Sequence, residues 1–135
     1  MNWLTLTLIT VILWGVWGFF IKLSTKYMDW KAFMAFSGIG MIVVNVAIFL
    51  YFKPDITIKG NGFYYAALAG IIASIAAVPY YLALEIGKAS IVTALAATYP
   101  VVTVLLSLLI LHEEITLVQI IGIILALIAT VLVSL

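Results

Sequence analysis

The sequence predicts an all-α integral membrane protein of five transmembrane helices, and three observations predict it. Five continuous apolar runs of roughly 20 residues can be separated, and at ~1.5 Å rise per residue each covers a hydrocarbon layer of ~30 Å. Hydrophobic residues make up 67% of the chain and charged residues only 8%, with a mean hydropathy of +1.37. A soluble domain carries about 25% charged residues, so lipid must serve as solvent for most of this chain. The connections between runs are short and hold most of the charge. A β-barrel is excluded, because the runs are continuously apolar rather than alternating.

The first run, Trp3–Leu23, lacks a basic start, contains Trp3, Trp14 and Trp17, and shows no small-residue cleavage pattern. It reads as a retained span, not a removed leader. Lys22, Lys26, Asp29 and Lys31 follow, with Tyr27 and Trp30 suited to the headgroup region. The second run, Ala32–Phe52, ends in the one real loop, Lys53–Gly62, where Pro54, Asp55, Gly60, Asn61 and Gly62 are turn formers. The third run is Phe63–Leu84, and Glu85–Lys88 is a minimal connection to the fourth, Ala89–Leu111. An elbow at His112–Ile115 leads to the fifth, Thr116–Leu135. The whole of 1–135 is one domain, with nothing outside the membrane to carry separate chemistry.

Composition also excludes. Net charge is +1 with no arginine, so no basic patch suits nucleic acid. There is no cysteine, hence no disulfide and no thiolate metal site. His112, Glu113 and Glu114 are adjacent on a short turn and cannot all converge on one ion, so neither a metal nor another cofactor is implied. An enzyme would need acids, histidine or a nucleophile clustered at one membrane face. This elbow is thin support for that, so the chain is read as not an enzyme.

Small residues recur every four positions: Ala66, Gly70 and Ser74 in the third run, Ser90, Ala94 and Thr98 in the fourth, Gly122, Ala126, Thr130 and Ser134 in the fifth. Such stripes let helix backbones approach closely in lipid. They serve packing inside one bundle or between chains. Gly122, Ala126 and Thr130, on a terminal helix polar only along that stripe, are the candidate dimer contact.

Orientation is weakly specified. Lys22, Lys26, Lys31 and Lys88 fall on one side; Lys53, Lys59 and the N-terminal amine fall on the other. Near-level counts permit insertion both ways, a dual topology. An odd number of spans gives that balance a use. Two oppositely inserted copies would rebuild the pseudo-two-fold arrangement of an inverted-repeat transporter.

Several motifs carry a family likeness. Leu13-Trp14-Gly15 is followed by Phe19, Phe20 and Lys22; the third run holds Tyr80-Tyr81-Leu82-Ala83-Leu84; Pro100 is followed by Leu111, Glu113, Thr116, Gln119 and Gly122. In order and spacing the chain resembles the EamA-type domain of the drug/metabolite transporter superfamily over essentially its whole length. The resemblance implies one half of a ten-helix inverted-repeat transporter fold, since most relatives fuse two such domains. His112 stands where glycine usually precedes the glutamate, Glu114 where a basic residue is common, and Ala129 replaces a second glycine. The first two departures make the elbow more acidic and stiffer, and alanine at 129 still permits close packing. In size the chain is also similar to the small multidrug exporters, but Met1–Phe20 lacks the acid that those carry in their first helix. That disfavours proton-coupled export of lipophilic cations by their mechanism.

Charges at membrane depth are costly and mark function. Glu85 and Glu113 are the candidate gate or coupling groups. The plain alternatives are an interfacial ion pair of Glu85 with Lys88 and capping of the fifth helix by Glu113 and Glu114; His112 could sense protons. Candidate substrate-binding residues are Trp14, Trp17, Asn45, Tyr80, Tyr81, Thr93, Thr98 and Tyr99, polar or aromatic groups that need partners in lipid. Pro79 and Pro100 would kink the third and fourth helices and free backbone carbonyls one turn earlier. The reading that results is a secondary transporter of a small polar or amphipathic metabolite, neutral or zwitterionic, a class that includes amino-acid-like solutes. It would work by alternating access as an antiparallel homodimer in the cell membrane, helices one to four lining the cavity and the fifth acting as scaffold. A small multidrug-type exporter, one chain of a heterodimeric transporter and a non-transporting membrane subunit are the alternatives.

Overall fold

The computed structural model describes residues 2–54 and 60–134. Met1 with its amine, Asp55 and Lys59 of the second connection, and Leu135 lie outside the described residues, as does the Ser134 side chain. All regular structure among the described residues is helical: α1 Trp3–Ser24, α2 Trp30–Phe52, α3 Gly62–Ile86, α4 Ala89–Ala96, α5 Pro100–Leu106 running into a π-helical turn Ser107–Leu111, and α6 Leu117–Ser134. Trp3–Ser24, Trp30–Phe52, Gly62–Ile86 and Ala89–Leu111 are each long and apolar enough to cross a membrane; Leu117–Val133 is apolar but shorter. At ~1.5 Å per residue the 18 residues of α6 extend to about 27 Å.

Local chemistry explains the ends. Asn2 Oδ1 accepts from the Thr5 N–H at 2.8 Å to start α1, and Asp29 Oδ1 accepts from the Ala32 N–H at 2.9 Å to start α2. Each satisfies a donor that the helix itself leaves orphaned. Lys53 closes α2 in the left-handed region at φ 43°, and Pro54 then prevents continuation.

Two prolines behave differently. α3 runs unbroken through Pro79. The fourth run does not: the expectation of one kinked helix from Ala89 to Leu111 is corrected here. α4 stops at Ala96, and a tight turn with Thr98 N–H bonded to Leu95 O at 3.1 Å and Tyr99 N–H to Ala96 O at 3.1 Å precedes Pro100. Proline has no N–H to offer the Ala96 carbonyl, and its fixed φ suits the first turn of a new helix. Pro100 therefore opens α5 rather than bending a continuous helix.

The chain divides into two compact units, Met1–Ile86 and Gly87–Leu135. In the first, α3 packs against both α1 and α2, and Gly18, Ile21, Tyr81 and Leu84 are buried. In the second, α4 packs along α6.

The elbow turns through a left-handed residue although that residue is a histidine. His112 sits at φ 53° and ψ 36°, left-handed, with its N–H on Ser107 O. A side chain in that region costs about 1 kcal/mol that glycine avoids. We expect His112→Gly to raise stability by about 0.5–1 kcal/mol, less than the full relief because glycine also loosens the unfolded chain. Detergent-micelle unfolding midpoints would check it; a loss of stability would show that the imidazole makes contacts outweighing the strain.

Candidate functional site

The first unit gathers aromatic side chains around Tyr81. Trp17 on α1 stacks on Tyr80 of α3 with centroids 5.9 Å apart and planes at 20°, and meets Tyr81 edge-on at 6.3 Å. Phe33 on α2 closes the third side of Tyr81 at 4.9 Å and 84°. Tyr81 and Ser37 share a side-chain hydrogen bond. Edge-to-face pairs are worth about 0.5–1.5 kcal/mol each, so one tyrosine ties three helices together. Gly18 lies against this cluster, and a Cβ there would meet the Tyr80 hydroxyl at 3.6 Å, an ordinary contact that alanine could make.

One turn beyond, two charges join helix ends. Lys22 Nζ donates to the Leu84 carbonyl at 2.7 Å, meeting one of the carbonyls that the end of α3 leaves open. Glu85 Oε2 accepts from the Trp30 N–H at 3.0 Å, at the first turn of α2. A cation thus meets the negative end of one helix dipole and a carboxylate the positive end of another. α1 is held to α3, and α3 to α2, by charge-assisted bonds that outlast a simple surface ion pair. Lys31 lies 5.9 Å over the Trp30 ring beside this junction.

Of the residues singled out by sequence, Trp17, Tyr80 and Tyr81 come together, and Glu85 stands directly beneath them in the chain. Trp14 is on the same helix as Trp17 and exposed, while Asn45 lies on the exposed stretch 39–52 of α2, outside the cluster. Pro79 is exposed within α3. Phe33 and Ser37 were not singled out. Their spacing of four on one helix face was the available signal.

The second unit has its own arrangement. A hollow of ≈ 110 Å³ lies beside the broken helix, with Thr98, Pro100, Ala126 and Thr130 in its wall. Both threonine hydroxyls donate to backbone carbonyls close by in the chain, Thr98 Oγ1 to Leu95 O at 2.6 Å and Thr130 Oγ1 to Ala126 O at 2.8 Å. Thr93 and Tyr99 are exposed. Gly122 and Ala126 also border a wider, open groove with Val104, Ile115, Gln119 and Ile123. The small-residue stripe of α6 therefore faces α5 of its own unit along part of its length.

At the elbow, Glu113 and Glu114 are exposed, and the expectation that they cap the fifth helix is corrected. Thr116 and Gln119 do so. Gln119 Oε1 accepts from the Thr116 N–H at 2.7 Å, and the Gln119 N–H donates to Thr116 Oγ1 at 3.3 Å. This reciprocal pair is a capping box, and it gives the Thr116…Gln119 spacing a structural meaning.

Comparison with known proteins adds the family. The EamA-like transporter family matches residues 1–135. The chain belongs to the EamA-like transporter family. It is an integral, multi-pass membrane transporter of the drug/metabolite type. An uncharacterized protein of Methanocaldococcus jannaschii is 34% identical over 129 residues, covering 96% of this chain and 93% of that protein. No solved structure matches.

Proposed function

We propose that this EamA-like chain is half of a secondary transporter, completed by an oppositely inserted second copy, and that it moves a small neutral or zwitterionic metabolite across the cell membrane. The observation that carries the reading is the Trp17–Tyr80–Tyr81 cluster with its Ser37 hydrogen bond, found in a chain of a transporter family. Ring faces and hydroxyls can hold an amphipathic solute without a fixed countercharge. A relative from Methanocaldococcus jannaschii is matched over 93% of its own length, so that relative spans about one such unit, which is in keeping with assembly from two copies. Balanced lysines support opposite insertion, and an antiparallel pair supplies the two related halves that rocking alternating access requires.

The test is reconstitution of the pure chain into proteoliposomes. Saturable uptake of labelled neutral or zwitterionic amino acids and amines, by a homodimer, is the expected result. Uptake confined to lipophilic cations would point to a multidrug-type exporter. A protein that moves none of these solutes would be a non-transporting membrane subunit.

A further inference from the structure

Asn45 is the only amide side chain inside α1, α2 or α3. Each serine and threonine of those helices donates its hydroxyl to an oxygen of its own chain. The exposed Asn45 side chain has no such partner among the described residues. A bare amide is costly in hydrocarbon, where no water replaces the missing bonds. Resting on the transport reading above, we propose that this face of α2 binds the same face of an oppositely inserted copy, with Asn45 of each chain seated over Gly38 of the other.

Face and depth both select that pairing. With about 100° between successive residues, Gly38 and Asn45 lie within about 20° of each other on α2. Phe33 and Ser37, which contact Tyr81, lie about 80–140° round the helix. The Asn45 face is therefore turned aside from the packing on α3. Met41 is the middle residue of α2, and Ile42 is midway between Lys31 and Lys53 at its ends. Gly38 and Asn45 stand at equal distances either side of the step between those two residues. A two-fold axis in the membrane plane inverts depth, so it brings each Asn45 level with Gly38 of the other copy. Gly38 suits that place. A Cβ there would meet nothing within 4 Å in its own chain, which leaves a gap open to a neighbour. Its carbonyl keeps a second lone pair after the helical bond, and the Asn45 Nδ2–H can donate to it. The symmetry then repeats the bond on the other side of the axis. Gly40 is equally open, but it lies about 140° from Asn45 on the helix.

The experiment uses the absence of native cysteine and leaves Gly38 and Asn45 untouched. Met34 and Phe49 lie on the same face, again at equal distances from the axis. Full-length chains carrying Met34→Cys and Phe49→Cys, with different tags, are produced together and treated in cell membranes with a short, membrane-permeant thiol cross-linker. The mixed product is expected. Either chain alone should give none, because its two thiols would sit about 22 Å apart in depth. In micelles, Asn45→Leu and Gly38→Val should each weaken the dimer about tenfold, read by dilution. Product from Phe49→Cys alone would mean copies pointing the same way and would overturn the proposal. Absence of the mixed product would overturn it too. If Asn45→Leu then still lowers uptake affinity, the amide serves the solute; if it lowers only the unfolding midpoint, the rest of its own chain covers it. The outcome is separable from the transport reading. Solute uptake by a dimer without the mixed product sinks this contact and keeps transport; the mixed product from a chain that moves no solute does the reverse.

Discussion

Tyr81→Ala should destabilise the protein by about 2–4 kcal/mol, the largest single-residue loss we expect. In lipid the transfer of apolar surface out of water no longer drives packing, so the cost must be built from lost contacts. Tyr81 is 3% exposed and touches Trp17, Phe33 and Tyr80. Three ring pairs at about 0.5–1.5 kcal/mol each give most of that figure, and the cavity adds to it. Tyr81→Phe keeps the rings and loses only the Ser37 bond, so it should cost about 1 kcal/mol. Unfolding midpoints in mixed micelles separate the two. Equal losses for both variants would place the energy in the hydrogen bond and not in the aromatic packing.

Trp17→Ala is expected to lower the apparent affinity of reconstituted transport roughly tenfold. Trp17 is 38% exposed, unlike Tyr81, and stacks on Tyr80 with the rest of its ring free to meet a solute. Truncation removes that surface and leaves the Phe33–Tyr81 contact in place. The fold should persist, as the elution of the protein and its unfolding midpoint would report, while uptake saturates at higher solute concentration. Unchanged uptake would move the substrate away from this cluster.

Much of this architecture is legible in the chain because membrane helices announce themselves by length and apolarity. The helix ends expected near Leu23, Phe52 and Leu84 fall within two residues of those observed. Position 100 shows where that legibility stops. Two prolines read alike as kinks, yet one is carried inside α3 and the other begins a new helix. A proline removes the same N–H in both places, and only the surrounding turn decides between bending and stopping. Asn45 illustrates a second limit. Its polarity in a span marks it as needing a partner, but nothing local says which helix supplies one, and it lies outside the cluster. The Lys22–Leu84 bond illustrates a third, since sequence locates helix ends without saying which ends meet. The Thr116–Gln119 box carries a spacing that signals a cap, yet the acids at Glu113 and Glu114 drew that reading to themselves.

The central claim is that the transporter is built from two copies of this chain inserted in opposite directions. It is tested most directly by placing Asn61→Cys in the cysteine-free background and labelling intact cells with a membrane-impermeant maleimide, before and after permeabilisation. The claim predicts two populations, close to half of the thiols reacting from outside and the remainder only once the membrane is opened. A single population, all outside or all inside, would contradict it.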